Sequence, residues 1–190
     1  SFKEFLLALH EDILVEQMEQ HNWKEMDVFR EKLKNYLRQY YYVGGMPEVV
    51  KYYAQTKEIF HVREIQNRIL LNYRQDFSKH IPGNLLTKVN LVWDSVPAQL
   101  AKENKKFIYG MLKKGGRAKE FEDAIQWLVD AGLVFRVNRI NKVCMPLKFY
   151  EEFNAFKLYL LDLGLLGAMV DAPAKNILIG DNVFKEYKGA

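Results

Sequence analysis

Residues 117–140 read RAKEFEDAIQWLVDAGLVFRVNRI and join a helix to a strand. Apolar residues recur at three- and four-residue steps from Phe121 to Leu128, which predicts an amphipathic helix with one buried face. Gly132 is a typical residue just after a helix end. Residues 133–140 then favour a strand, because Val and Phe fit a pleated, half-buried surface.

The regions on either side of this stretch complete the pattern. A second strand is predicted at residues 156–161 and a small apolar helix at residues 163–169. A helix that leads directly into two strands is typical of a winged helix-turn-helix, and the first half of the chain has helical periodicity throughout. We therefore predict a fold that is mainly α with a small antiparallel β wing, in which a helical bundle precedes a winged helix-turn-helix-like domain.

Two turn signals interrupt the helical periodicity. Residues 44–47, Gly-Gly-Met-Pro, break the second long helix, and Pro47 can begin the next one because proline is tolerated in a first turn. Residues 81–83, Ile-Pro-Gly, end the following helix. Pro97 is predicted to bend the helix after that, or to end it early.

Composition excludes several classes of protein. The 190 residues are 49% hydrophobic and 14% aromatic, so the chain can build a sizeable core. Its longest nearly uncharged stretch, residues 163–170, is far shorter than the roughly 20 residues that span a bilayer. Cys144 is the single cysteine, which excludes an internal disulfide framework and fits a reducing, cytoplasmic compartment. We expect no membrane partner.

Signatures of catalysis and metal binding are absent from the sequence. No phosphate-binding P-loop and no dinucleotide-binding glycine motif occurs. The four histidines lie far apart, without a partner at a recognised metal-ligand spacing. Cys144 is interpreted as a buried small side chain rather than a nucleophile. We therefore expect no catalytic residue and no metal site in this chain.

The positive charge is concentrated in residues 101–150, which hold 11 basic and five acidic side chains, whereas the whole chain carries a net charge of +4. Such a block suits phosphate-bearing partners, although solvated lysines are the commoner explanation. The outward face of helix 118–131 carries carboxylates, which argue against sequence-specific recognition of base edges in DNA. The candidate nucleic-acid-binding residues are Lys105, Lys106, Lys113, Lys114, Arg117, Lys119, Arg136, Arg139 and Lys142.

Seven short motifs, taken together, resemble a family of prokaryotic AAA-type ATPases. In that family a P-loop module is followed by a helical lid, a winged-helix-like segment and a restriction-endonuclease-like terminal domain of unknown function. The resemblance covers essentially all 190 residues, and the order and spacing of the motifs are specific. The motifs are SFKEFL (1–6), GGMPEVV (44–50), YRQDFSK (73–79), VPAQL (96–100), NKKF (104–107), RAKEF (117–121) and FKLYLLDLGLL (156–166).

The resemblance implies a division of the chain into three parts. Residues 1–82 would be the lid-like domain, residues 83–175 the winged-helix-like domain, and residues 176–190 the start of a truncated following domain. The chain would then begin after the P-loop and the Walker B acid, so that ATP and Mg²⁺ belong to the parent protein and this fragment is not itself an enzyme. Its partners would be its own ATPase module and the nuclease-like domain.

The resemblance also implies one contact with nucleotide. The turn at residues 44–47 is similar to the Gly-x-Pro turn in the lids of related signalling and archaeal ATPases, where the proline lies against the adenine. Gly44, Gly45 and Pro47 are thus candidate cofactor-binding residues. A plain helix-breaking turn is the equally weighted alternative.

Three hypotheses for function follow. The first is a non-catalytic lid and winged-helix fragment that couples nucleotide state to a partner or a neighbouring domain, with a hinge at Gly44 and Gly45. The second is a nucleic-acid-binding module that uses residues 101–150, with DNA as the partner. An autonomous enzyme is disfavoured, because no catalytic constellation can be assembled.

Overall fold

The computed structural model describes residues 1–21, 23–102 and 106–179. The described chain is mainly helical and contains a two-stranded antiparallel sheet, which confirms the predicted fold class. Among the described helices, none is both long enough and apolar enough to cross a membrane. The helices are α1 (Phe2–Ala8), α2 (Asp12–Glu19), α3 (Trp23–Met26), α4 (Arg30–Val43), α5 (Pro47–Thr56), α6 (Val62–His80), α7 (Gly83–Ala101), α8 (Ala118–Asp130), α9 (Leu163–Met169) and α10 (Ala174–Ile179), and the strands are β1 (Val134–Ile140) and β2 (Glu151–Leu160).

Packing divides the chain into two compact units whose bounds differ from the predicted domains. The first unit comprises residues 1–71 together with the segment from Asp162 through α10, and the second comprises residues 72–161. The chain returns to the first unit at Asp162, because α9 and α10 both pack on α4. The predicted division placed a boundary at residue 82 and assigned α9 to the winged-helix domain.

The core of the first unit begins with an interruption that the sequence pattern did not predict. The apolar run from Phe2 to Ile13 predicts one helix, but α1 ends at Ala8 and His10 has a φ of 62°. Leu6, Leu14 and Val15 are fully buried at the corner between α1 and α2. Partly buried side chains that pack against them are Phe2, Met18, Phe29, Leu33 and Tyr36.

The second unit is built around Trp93 of α7, whose side chain is completely buried. The Phe77 ring meets the Trp93 ring edge to face at 5.7 Å between centroids. Gln99, two residues after Pro97, exchanges two hydrogen bonds with the backbone of Ile108 at 2.9 and 3.0 Å. Helix α7 continues through Pro97 to Ala101, so the prediction that this proline ends the helix early is wrong.

The sheet is the hairpin of the predicted wing. β1 and β2 pair antiparallel, with Val134 opposite Leu160 and Asn138 opposite Phe156. A bulge follows, after which Arg139 lies opposite Glu152. On the other side of β2, the Phe107 N–H donates a 2.6 Å hydrogen bond to the Phe156 carbonyl and covers that edge.

Candidate functional site

The Gly-Gly-Met-Pro segment forms a tight connection between α4 and α5. Gly44 follows the last residue of α4 and has a φ of 77°, a conformation that favours glycine. Pro47 occupies the first turn of α5, as predicted. Gly44 is buried, Gly45 is half-buried and the ring of Pro47 is exposed.

Asp162 holds this turn from the opposite end of the sequence. Its side chain is only 7% exposed, and its Oδ2 accepts a 2.6 Å hydrogen bond from the Gly45 N–H. Its Oδ1 accepts a 2.9 Å bond from the Leu165 N–H, so the same carboxylate caps α9. Burial raises the pKa of Asp162, while hydrogen bonds from Gly45 and Leu165 oppose that rise. One carboxylate therefore fixes both a turn and a helix start.

Gly44 and Gly164 each allow a close approach that a side chain would prevent. A Cβ atom on Gly44 would come within 2.2 Å of the Asp162 Oδ1 atom. A Cβ atom on Gly164 would come within 2.6 Å of the Val43 carbonyl oxygen. Real Cβ atoms essentially never approach other atoms so closely, and glycine is therefore required at both positions.

Gln66 satisfies the carbonyl groups at the end of α4. This side chain is completely buried, and its Nε2 donates to the carbonyls of Tyr42 and Val43 at 2.9 and 3.0 Å. Arg63 in turn donates a 2.8 Å hydrogen bond to the Gln66 Oε1 atom. Since the last carbonyls of a helix lack partners within the helix, Gln66 acts as its C-terminal cap.

Arg63 connects the same network to α9. Its guanidinium donates to the carbonyls of Gly164 and Ala172 at 3.1 and 3.0 Å. It also lies over the Tyr42 ring, 4.6 Å from the ring centroid. Burial lowers the pKa of Arg63, and the carbonyl and ring contacts stabilise its charge. The node formed by Gly44, Gly45, Arg63, Gln66 and Asp162 is called the turn node below.

An open groove with a volume of about 670 Å³ lies beside the turn, between α1 and α5. Helix α5 contributes Pro47, Val50, Lys51 and Ala54, which lie on one face at helical spacing. Helix α1 contributes a matching face that includes Phe5. The apolar floor can accept a flat, mainly apolar group against the exposed proline ring, and Lys51 supplies a positive charge at its side.

Two of the three predicted cofactor-binding residues lie at the groove. Gly45 and Pro47 line the groove, whereas Gly44 is covered by Asp162 and does not. Sequence reasoning did not identify Asp162, although an aspartate directly before a short apolar helix is an N-cap signal. Within the residues that the structure describes, no group of three His, Cys, Asp or Glu side chains could hold a metal ion.

Arg136, a predicted phosphate contact, is instead part of a half-buried network in the second unit. Its guanidinium forms a 2.8 Å ion pair with Glu122 of α8 and lies 3.8 Å from the Phe156 ring centroid. Tyr109 donates a 3.1 Å hydrogen bond to the same carboxylate. The pKa of the Tyr109 hydroxyl is raised to about 12, mainly by burial and to a smaller extent by the Glu122 carboxylate. This network fastens the wing to α8.

The remaining predicted nucleic-acid contacts fall into two groups. Arg139 forms an ion pair with Glu152, Lys113 lies 3.4 Å from Glu120, and Lys142 lies 5.9 Å from the Tyr150 ring centroid. Lys105 is outside the described residues. Exposed cations for which the described residues provide no ion-pair partner are Lys106, Lys114, Arg117 and Lys119.

Comparison with the models of known protein families identifies a family for this chain. The model of a domain of unknown function (DUF8612) matches residues 34–176, three quarters of the chain. The chain belongs to the DUF8612 family. Every residue of the turn node and the whole wing lie inside the DUF8612 match, whereas α1, which forms the other wall of the groove, precedes it. No curated protein and no solved structure matches the chain.

Proposed function

We propose that this chain is the non-catalytic lid and winged-helix part of an AAA-type ATPase, and that it couples nucleotide state to a partner or a neighbouring domain. The observation that carries the proposal is the exposed Pro47 ring beside Gly45 at the edge of an open, apolar-floored groove. An adenine ring has the flat, apolar faces that such a wall accepts.

The turn node supplies a route by which an occupant of the groove acts on the rest of the first unit. Gly45 bonds Asp162, and Asp162 begins α9. A displacement of the turn would thus be transmitted through one short hydrogen bond to a helix more than a hundred residues later in the sequence. Such coupling needs an element with two arrangements, and a glycine pair absorbs backbone change at low cost.

ATP is the nucleotide we propose, and its phosphates with Mg²⁺ would be held by a separate ATPase module of the same cytoplasmic protein. The groove offers the base a proline face, and its titratable side chains are Lys51, His10 and Glu4. The described residues contain no acidic cluster suited to magnesium. This chain would therefore bind and orient the base, and hydrolysis would occur elsewhere.

The first test is the reading frame on either side of this segment in its gene. A P-loop and a Walker B acid upstream would support the proposal. A start codon just before Ser1 together with a stop codon after Ala190 would refute it.

The second test measures nucleotide affinity of the complete gene product. We expect Pro47→Ala to weaken ATP binding on the order of fivefold to tenfold, because the base loses its apolar wall. Pro173→Ala is the matched control, since Pro173 is also exposed and stands directly before α10, much as Pro47 begins α5, but lies outside the groove. Wild-type affinity in both Pro47→Ala and Gly45→Val would contradict the adenine contact.

Nucleic-acid binding is the second candidate function, and the observation in its favour is the group of exposed cations around the start of α8. We expect duplex DNA affinity to fall steeply with salt, and Lys114→Gln or Arg117→Gln each to reduce the salt slope by about one unit. Arg136→Gln should leave the slope unchanged, because Arg136 is bound to Glu122. No binding at low salt would exclude this function.

A further inference from the structure

Among the described residues, one edge of the wing sheet has a backbone partner at one position, and the other edge has none. The Phe156 carbonyl of β2 accepts its hydrogen bond from Phe107, on the side away from β1. Among the described residues, no backbone hydrogen bond other than those to β2 involves residues 134–140. Within the residues that the structure describes, the side of β1 away from β2 has no backbone partner, and edge strands of this kind readily pair with another strand.

The direction of the free backbone groups follows from the register. Because the Phe156 carbonyl points away from β1, Asn138 and Phe156 form a non-hydrogen-bonded pair in the antiparallel ladder. By alternation, Val134, Arg136 and Asn138 direct their N–H and C=O groups to the free edge. A second extended strand would find three donors and three acceptors in regular order.

The two charged side chains of β1 itself are already paired. Arg136 is paired with Glu122 and Arg139 with Glu152. The strand thus offers no unpaired charge to attract an acidic or a basic peptide. On the outer face, Phe135 and Val137 are 56% and 51% exposed, and Lys157 of β2, opposite Val137, adds one positive charge to the same face. A strand with exposed apolar side chains and no excess of positive charge is the complementary partner.

The sequence of β1 is complementary to itself. In an antiparallel pair centred on Val137, Arg136 lies opposite Asn138 of the other strand, and Phe135 lies opposite Arg139. Like charges never face each other in this register, and the two Val137 side chains meet at the centre as a close, non-hydrogen-bonded pair.

The hairpin carries several exposed apolar side chains. Six apolar side chains between residues 135 and 153 are more than half exposed, two of them on β1, three between the strands and one on β2. These side chains are Phe135, Val137, Val143, Met145, Phe149 and Phe153.

From these observations we propose that β1 pairs with β1 of a second copy of this chain, antiparallel and centred on Val137. The two wing sheets then form one continuous sheet across a two-fold axis. The proposed pairing surface on β1 shares no residue with the groove beside Pro47. The proposed dimerisation does not require nucleotide.

The test is sedimentation velocity of the chain at concentrations up to about 200 µM, where an interface of standard size is populated. We expect a dimer for the wild type and for the control Val137→Thr, which keeps a β-branched side chain. Val137→Lys and Val137→Glu should each be monomeric, because two like charges would meet at the two-fold axis. An equimolar mixture of the two variants should form a heterodimer.

Each measurement can overturn the proposal. A monomeric wild type at the highest concentration excludes the dimer, and a dimeric Val137→Lys places the interface elsewhere. A mixture that remains monomeric, although both variants retain the wild-type circular dichroism spectrum and unfolding midpoint, excludes the register centred on Val137. Val137 is half-exposed, so neither substitution should prevent folding.

Discussion

Gly44 and Gly45 are neighbours in the turn between α4 and α5 but stand in different environments. Gly44 combines a φ of 77° with direct contact to the Asp162 carboxylate. Around Gly45, a Cβ atom would meet the Tyr40 hydroxyl and the Asp162 carboxylate at 3.5 and 3.6 Å, which are ordinary contacts. The first glycine is therefore required by the fold, whereas the second can be changed without strain.

We expect Gly44→Ala to lower the free energy of unfolding by about 2–4 kcal/mol, because it adds strain at positive φ to a steric clash. Gly45→Ala should change it by less than about 1 kcal/mol. Urea unfolding of both variants measures the difference. Equal losses would show that the Asp162 contact does not determine the packing at Gly44.

Asp162 allows a prediction about pH. Its pKa lies above the ordinary value of 3.8, so folding favours the protonated form. Its contribution to stability is therefore greatest below pH 3.8 and decreases as the pH rises through the pKa of the folded state. Asp162→Asn removes this titration. We expect the stability of the wild type relative to Asp162→Asn to fall as the pH rises from about 3 to 6.

Unfolding of both proteins by urea at each pH provides this comparison, and Asp171→Asn, an exposed aspartate of the same unit, is the control. A stability difference that grows with pH instead would mean that the hydrogen bonds from Gly45 and Leu165 outweigh burial, and that the pKa of Asp162 is lowered.

At the scale of elements, the end of α4 depends on a side chain of α6. Gln66→Leu preserves the approximate volume but removes both hydrogen bonds to the α4 carbonyls and the acceptor for Arg63. We expect a loss of about 2–4 kcal/mol in the free energy of unfolding, because buried polar groups are left unpaired. Gln75→Leu is the control on the same helix, since Gln75 is exposed. Similar unfolding midpoints for the two variants would refute the cap.

The wing and α8 are joined by the pair of Arg136 and Glu122. A double-mutant cycle with Ala at both positions should give a coupling energy of about 1–2 kcal/mol, because the pair is partly buried and the guanidinium also contacts Phe156. The exposed pair of Arg74 and Asp94 should give at most about 0.5 kcal/mol. Equal coupling in the two cycles would mean that Arg136 acts as a solvated surface charge.

Elements with a strong local signal were predictable from sequence. The apolar period gave α8, the β-branched run gave β1, and the short apolar helix α9 begins at Leu163 as expected. Strand β2 begins at Glu151, five residues before the predicted start. Its first residues are polar and are held in the strand by partners on β1, such as Arg139. The hydrophobic pattern within one strand carries no information about its partner strand.

The turn node shows where such prediction ends. Residues 44–47 were identifiable as a turn, because glycine and proline report backbone conformation directly. The partner of the turn was not identifiable, since 117 residues separate Gly45 from Asp162. Arg136 shows the same limit for a charged residue. Its charge is evident from the sequence, but its ion pair with Glu122 forms only in the folded second unit.

For the whole molecule, the proposed pairing of β1 makes stability depend on protein concentration. If only the folded chain dimerises, the unfolding midpoint rises with concentration. We expect the midpoint to increase by about 2–4 °C between roughly 5 and 200 µM for the wild type, and to remain constant for Val137→Lys. Differential scanning fluorimetry measures both. A midpoint of the wild type that is independent of concentration would argue against the dimer.

The return of the chain to the first unit at Asp162 has a consequence for biosynthesis. A ribosome delivers residues in order, so α1, α4, α5 and the first part of α6 emerge long before the residues that complete their unit. Throughout the synthesis of residues 72–161, the Gly45 N–H lacks its acceptor, and α4 lacks α9 and α10, which pack on it. The described part of the second unit, residues 72–161, is continuous in sequence and can fold as it emerges, whereas the first unit must wait for Asp162. The groove beside Pro47 therefore acquires its final shape only late in translation.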